Sequence, residues 1–205
     1  GSSELMTELS SSVVTVLYNT QLMKIAGENG VAAYGAVMYV NFIFVATFLG
    51  YAIGCAPVIS YHYGAGNHAE LKNLYKKSMS IILVWGVILF GAAQLLAPVL
   101  SKIFVGYNTG LYAMTLHGFR VYAIAFLIIG INIFGSSFFT ALNNGLISAV
   151  ISFLRTLMFQ VIMVLTLPLW FGINGIWSAI GVAEALTLIM TTTFFVRQKD
   201  KYHYL

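Results

Sequence analysis

Apolar residues fill this chain in long blocks, and short polar clusters punctuate them. Residues 29–69 carry no acidic or basic side chain apart from His62 and His68, and the runs 78–101, 121–154 and 156–183 contain no Asp, Glu, Lys or Arg. A helix needs about 20 apolar residues to cross a hydrocarbon layer of about 30 Å, so each run is long enough to span a membrane. Within lipid the backbone must satisfy its own hydrogen bonds, which leaves helices or a closed barrel. The runs are too long for barrel strands and show no strict alternation, so helices are predicted. The clusters Gly27-Glu28-Asn29-Gly30, Gly64-Ala65-Gly66-Asn67, Tyr107-Asn108-Thr109-Gly110, Asn143-Asn144-Gly145 and Gly172-Ile173-Asn174-Gly175 have turn chemistry. Blocks and turns together predict six spans, over about 4–25, 31–63, 76–101, 116–142, 146–170 and 173–196. The expected fold class is an all-α membrane protein, a six-transmembrane-helix bundle, with residues 1–205 as one unit. Pro57, Pro98 and Pro168 fall late in spans two, three and five, where a kink is tolerated.

Composition supports the same class. Charged residues make up 8% of the chain against 60% hydrophobic, where a soluble domain carries about 25% charge. A soluble fold of this size could not hide that much apolar surface. The lone Cys55 excludes a disulfide framework or a thiol metal cluster. The net charge of +4 comes from basic residues at segment ends, so no nucleic acid is expected as a partner. Lys72, Lys76 and Lys77 lie in the 64–77 loop and Arg197, Lys199 and Lys201 in the tail, facing Lys24, Lys102 and Arg120 on the other side. The positive-inside bias then makes both termini and that loop cytoplasmic, in a multi-pass protein of a cytoplasmic membrane. The start lacks a basic n-region and a small-residue cleavage site, so a secretory signal peptide is not expected. Phosphate loops, nucleophile elbows and HExxH are missing, and no mid-span dyad can be assembled, so an enzyme is not expected.

Ionisable groups within lipid-spanning segments are costly and therefore functional candidates. In span one, Glu4, Glu8, Ser11, Thr15 and Asn19 recur at helical spacing and form one polar face, with Leu5, Val13, Val16 and Leu17 opposite. Carboxylate and hydroxyl oxygens suit a proton relay or a hard cation such as Na⁺ at Glu8. Placement at the headgroups, with Glu8 one hydrated turn deeper, is the alternative for the two acids. In span four, Asn132, Ser136, Thr140 and Asn143 form a second stripe, for which interhelical hydrogen bonds are the alternative. Glu184 is the deepest carboxylate, with Thr187 and Thr191 on its face; either transport or a neutral packing acid explains it. Arg155 is expected to snorkel toward the headgroups rather than pair with Glu184. Gly50 and Gly54, and Gly175, Ala179 and Ala183, make small-residue ridges suited to close helix packing.

Several stretches resemble the C-terminal half of multidrug and toxic compound extrusion (MATE) transporters, bacterial antiporters of a larger flippase-containing superfamily. Leu5-Met6-Thr7-Glu8-Leu9-Ser10-Ser11-Ser12 is similar to the start of that family's seventh helix, and the stretch from Gly54 through Pro57 and Tyr63 to Gly66-Asn67 to the end of its eighth. Phe134-Gly135-Ser136-Ser137-Phe138-Phe139-Thr140-Ala141-Leu142 resembles the end of the tenth, and Gly172-Ile173-Asn174-Gly175-Ile176-Trp177 with Ala183-Glu184 the start and middle of the twelfth. The resemblance implies a helix-seven acid, here Glu8, paired with a helix-ten Asp. Residues 121–142 contain no Asp, and Asn132 is the nearest polar group.

What the resemblance implies is cation-coupled (H⁺ or Na⁺) antiport of organic cations or drug-like molecules across a bacterial inner membrane. The coupling ion is then the only small cofactor, and membrane lipids surround the chain. Family members have two lobes that rock about a site between them, as transporters built on repeats do. The chain matches one lobe, so the missing N-terminal lobe of a longer protein, or a second copy, is the expected partner. A lipid-linked precursor flippase of the same superfamily is the alternative within transport, and would want a more basic cavity than Arg155 alone provides. A non-transporting scaffold is the alternative outside it. A dry bundle with Glu8 and Glu184 buried and paired favours the scaffold, and a hydrated cavity reaching Glu8 favours transport.

Overall fold

The computed structural model describes residues 2–205, with side chains described from residue 4 onward. Helix α1 runs Ser2–Gly64 and leaves the helical region once, at Gly27 (φ 65°, ψ −152°). A glycine adopts that backbone without the Cβ penalty other residues face. The break turns the chain back on itself. The rings of Tyr18 and Tyr34 stack with centroids 5.0 Å apart, whereas residues so spaced on a straight helix would stand about 24 Å apart. The first two expected spans are therefore two arms of one element. This corrects the expectation of six separate helices: five long apolar helices are present among the described residues, Glu4–Gly64, His68–Val105, Thr109–Ala141, Gly145–Phe171 and Ile173–Tyr202. The turn chemistry of residues 27–30 is real, but Gly27 alone makes the reversal and helical bonding resumes on either side.

Helix α2 (His68–Val105) begins earlier than the apolar pattern suggests. Its N-cap Asn67 accepts a hydrogen bond from the Glu70 N–H at 3.2 Å, which is the capping role that asparagine fills well. The expected loop 64–77 thus shrinks to residues 65–67, and Lys72, Lys76 and Lys77 ride on the first turns of α2. Asn108 and Asn144 cap α3 (Thr109–Tyr122) and α5 (Gly145–Phe153) in the same way. A 3₁₀ turn, Ala123–Ala125, joins α3 to α4 (Phe126–Ala141). A π turn, Leu154–Met158, joins α5 to α6 (Phe159–Phe171). Gly172, at φ 60°, makes the corner into α7 (Ile173–Tyr202).

Helix α4 is the axis of the bundle, with Phe126, Asn132, Phe134, Phe138 and Phe139 all fully buried. Two of its glycines admit close neighbours: a Cβ at Gly130 would stand 2.4 Å from the Phe48 ring, and one at Gly135 2.5 Å from Thr191 Cγ2. The ridge Gly175, Ala179 and Ala183 packs as its spacing predicts. A Cβ at Gly175 would meet the Leu167 backbone at 2.5 Å, and both alanines are fully buried. Gly50 and Gly54 do not: nothing lies within 4 Å of either built Cβ, and both are exposed. A small-residue ridge permits close approach but does not say which neighbour, if any, arrives. At the chain end, His203 takes left-handed backbone (φ 57°) and turns Tyr204 inward. The Tyr204 hydroxyl donates to the Phe195 carbonyl at 2.6 Å, and burial pushes its pKa up, so it stays a donor.

Candidate functional site

Helices α4 and α7 and the π turn bring four polar groups, Asn132, Glu184, Thr191 and Arg155, together in the middle of the bundle. Asn132 and Glu184 are both fully buried. The Asn132 amide donates to Glu184 Oε2 at 2.7 Å and to the Glu184 carbonyl at 3.0 Å. Its own oxygen accepts from the Thr191 hydroxyl at 3.0 Å. Thr187 donates back to the Ala183 carbonyl at 2.9 Å, one turn before it on α7. Arg155 Nε lies 2.9 Å from Glu184 Oε1, with the arginine side chain 17% exposed and the carboxylate 0%. This is a correction: Arg155 does not snorkel to the surface but pairs with the deepest acid.

The local backbone explains why. Arg155 sits within the π turn, where the helix widens by one residue; such turns concentrate at functional positions. Gln160 covers the carbonyl of Arg155 with a hydrogen bond of 3.2 Å. A buried carboxylate without a partner would be very costly, so the pair with its amide donor is the arrangement the interior tolerates. A signal for it was present in the sequence. Arg155 lies ten residues beyond the turn at Gly145, or about 15 Å along a helix, which is about half of a hydrocarbon layer.

Two cavities flank this cluster. One, of about 320 Å³, is bordered by Glu8, Ser11, Thr15, Asn41, Arg155 and Glu184 among others. The other, of about 410 Å³, is bordered by Glu4, Glu8, Asn132, Ser136, Ser152 and Arg155 among others. Glu8 and Arg155, with Thr7, Leu49 and Ile133, border both. Glu8, Ser11 and Thr15 are exposed, on the open side of the first arm of α1. The buried face of that arm is Ser10, Val14, Tyr18 and Leu22 instead. Asn19 is not brought in: it borders a separate shallow hollow with Val16, Thr20 and Lys24. Asn41, which sequence reading passed over, points a buried Oδ1 without a protein hydrogen-bond partner among the described residues.

The second stripe on α4 behaves as interhelical bonding. Ser136 Oγ lies 3.0 Å from Ser148 Oγ and 2.9 Å from Ser152 Oγ, and Thr140 Oγ1 lies 2.6 Å from Ser148 Oγ. These hydroxyls tie α4 to α5 and line the wall of the larger cavity. Asn143 lies apart from them, exposed at the corner after α4 with left-handed backbone (φ 59°). Among the described residues no group of three or more His, Cys, Asp or Glu is placed to hold a metal ion.

The family model MatE matches residues 4–166. No curated protein matches the chain. Among solved structures, the chain is similar to a multidrug resistance MATE family transporter of the MOP superfamily in its inward-facing conformation (TM-score 0.91, 19% identity, covering 98% of this chain and 47% of that one). It is similar to a MATE protein in the straight conformation (TM-score 0.91, 19% identity, 100% of this chain and 46% of that one). It is also similar to a MOP superfamily transporter from Pyrococcus furiosus, described as having a binding pocket of reverse polarity that suggests a different function (TM-score 0.85, 20% identity, 94% of this chain and 43% of that one). The chain thus spans less than half the length of each of these transporters.

Proposed function

This chain belongs to the MatE family, and on that premise we propose that it supplies the C-terminal, cavity-lining half of a cation-coupled antiporter exporting organic cations or drug-like molecules. The observation that carries the reading is the cavity of about 320 Å³ running from exposed Glu8 to buried Glu184. A dry scaffold would give Glu8 no such space. The charge of Arg155 is matched by Glu184, so Glu8, which borders both cavities, sets the sign of the surrounding field. An acidic cavity favours cationic substrates, and it disfavours a flippase for anionic lipid-linked precursors, which would require excess positive charge.

Coupling by a proton suits these residues better than Na⁺ does. Where the family resemblance calls for a second carboxylate, residues 121–142 hold no Asp, and the nearest polar group, Asn132, has its oxygen already accepting from Thr191. Glu8 then binds a proton or the substrate cation, one displacing the other, which is the exchange that antiport requires. Asn41 Oδ1 and the hydroxyls of Ser11 and Thr15 offer neutral acceptors along the same wall. The other wall belongs to a second lobe, since a path between two bundles needs both.

Vesicles carrying this chain with an N-terminal lobe are expected to extrude a cationic dye against an imposed proton gradient, and residues 1–205 alone to show no gradient-driven efflux. Strong transport by the isolated chain would replace the two-lobe reading with a homodimer. The proposed orientation has its own test. Single cysteines placed at 65–67 and at 203–205 are expected to react with an impermeant reagent from the cytoplasmic side, and one at 107–108 from the opposite side. Labelling of all three from one side would reject that topology.

A further inference from the structure

Three histidines that the transport site does not use meet at the end of the bundle that carries the C-terminus. His62, His68 and His203, with Lys201, border a cavity of about 260 Å³ between the start of α2 and the end of α7. The His68 and His203 rings lie 4.4 Å apart, tilted by 40°. Asn67 Nδ2 lies 3.4 Å from His62 Nδ1. We propose that this cavity is an anion site that binds a phosphate group, carried by an anionic lipid headgroup or by a soluble phosphate.

The tail that delivers His203 is fixed rather than trailing. Tyr202 and Tyr204, on either side of it, are 5% and 0% exposed. The Tyr202 hydroxyl accepts from Asn144 Nδ2 at 3.0 Å, and the Tyr204 hydroxyl donates to the Phe195 carbonyl at 2.6 Å. Between these two anchors the left-handed backbone of His203 holds its ring over the cavity, against His68. Left-handed backbone is uncommon outside glycine, so the ring position is set by the fold.

The chemistry of the lining selects an anion. Lys201 brings an ammonium group, and the imidazoles of His62, His68 and His203 and the amide of Asn67 bring N–H donors to the same cavity. The same cavity is bordered by Asn67 and His68, the N-cap and first residue of a 38-residue helix, whose dipole favours a negative group at this end. The Glu70 N–H is taken by Asn67 Oδ1 at 3.2 Å and the His68 N–H by the Gly66 carbonyl at 3.0 Å, so side chains supply the donors. None of the described residues bordering it is acidic, and the nearby Glu70 carboxylate accepts from Asn73 at 3.2 Å. A metal is a poorer fit, because these imidazoles do not converge on one point as metal ligands would. The volume holds several waters at about 30 Å³ each, enough for a phosphate group and part of its hydration.

The test uses the purified transporter in detergent and follows its melting temperature against two probes, inorganic phosphate and dihexanoyl phosphatidylglycerol. A ligand that binds the native state raises that temperature in proportion to its occupancy. At least one probe is expected to give a saturable rise. Stabilisation by the lipid alone assigns a headgroup site, by phosphate alone a soluble-anion site, and by both the shared chemistry; each supports the proposal. The H68A/K201A double variant is expected to weaken the effective probe about tenfold or more, since it removes two charge-assisted contacts. H203N keeps a residue that tolerates left-handed backbone and is expected to weaken it severalfold. Failure of both probes on the parent protein overturns the site, as does parental affinity in H68A/K201A. Should that double variant melt early without ligand, H203N decides, and parental affinity there overturns the proposal.

Discussion

Replacing Arg155 with methionine is expected to destabilise the bundle by about 3–5 kcal/mol, the loss that follows when one partner of a buried ion pair is removed. The substitution leaves Glu184, which is 0% exposed, with the Asn132 amide as its remaining strong partner. Methionine fits the space because it is unbranched and adaptable, so lost packing contributes little. The double variant R155M/E184Q is expected to recover most of the loss. Removing both charges removes the desolvation penalty, and the glutamine oxygen still accepts from Asn132. E184Q alone falls between the two, because Arg155 borders both cavities and is partly exposed, so water can reach its charge. Thermal melting in detergent and the yield of monodisperse protein from membranes measure all three. Parental melting in R155M would show that the pair contributes nothing to the fold, and a double variant as unstable as R155M would locate the defect in packing rather than charge.

The membrane class and the helical architecture were legible because hydrocarbon imposes a length and a composition that few other environments require. The apolar blocks 78–101, 121–154 and 156–183 each fall within a long helix or, where a block is longer than one crossing, break at a corner such as Asn143. The helix ends were less legible. Apolar periodicity marks where lipid contact begins, but Asn67, Asn108 and Asn144 cap their helices outside that zone, so α2 starts eight residues before the expected span. The merging of the first two spans into α1 turned on a single backbone angle at Gly27. Sequence marks that stretch as a turn without distinguishing a loop from one reversed residue.

The polar cluster was legible residue by residue but not as a cluster. Asn132 and Glu184 each stood out as polar groups deep in a span, with Thr191 on the face of Glu184, and the fold joins them. What the sequence did not settle was whether Arg155, deep enough in its span to pair with Glu184, turns inward. Snorkelling is the ordinary fate of an arginine a few turns from a helix end, and the π turn that aims Arg155 inward leaves no pattern of spacing. Gly50 and Gly54 show the opposite failure, a packing motif with no neighbour against it among the described residues.

Replacing Glu8 with glutamine is expected to leave assembly intact and to abolish most coupled efflux. Glu8 is exposed on the open face of α1 and borders both cavities, so the change removes no buried contact and should not alter melting. It does remove the titratable proton and the negative charge while keeping size and hydrogen-bonding groups. Coupling between two ligands typically amounts to about 1–3 kcal/mol, or about 5–150-fold, so gradient-driven efflux should fall by roughly tenfold or more. In the same assay E184Q should cost less transport than E8Q, because Glu184, although it borders the smaller cavity, has its carboxylate committed to Arg155 and Asn132. The measurement is dye or drug efflux from vesicles at matched protein content, with a proton gradient imposed and then with a Na⁺ gradient. Residual activity in E8Q that no longer responds to the gradient would locate coupling at this carboxylate and substrate binding elsewhere along the wall. Unchanged coupled efflux in E8Q, beside a severe defect in E184Q, would move the coupling role from the exposed acid of α1 to the buried one of α7.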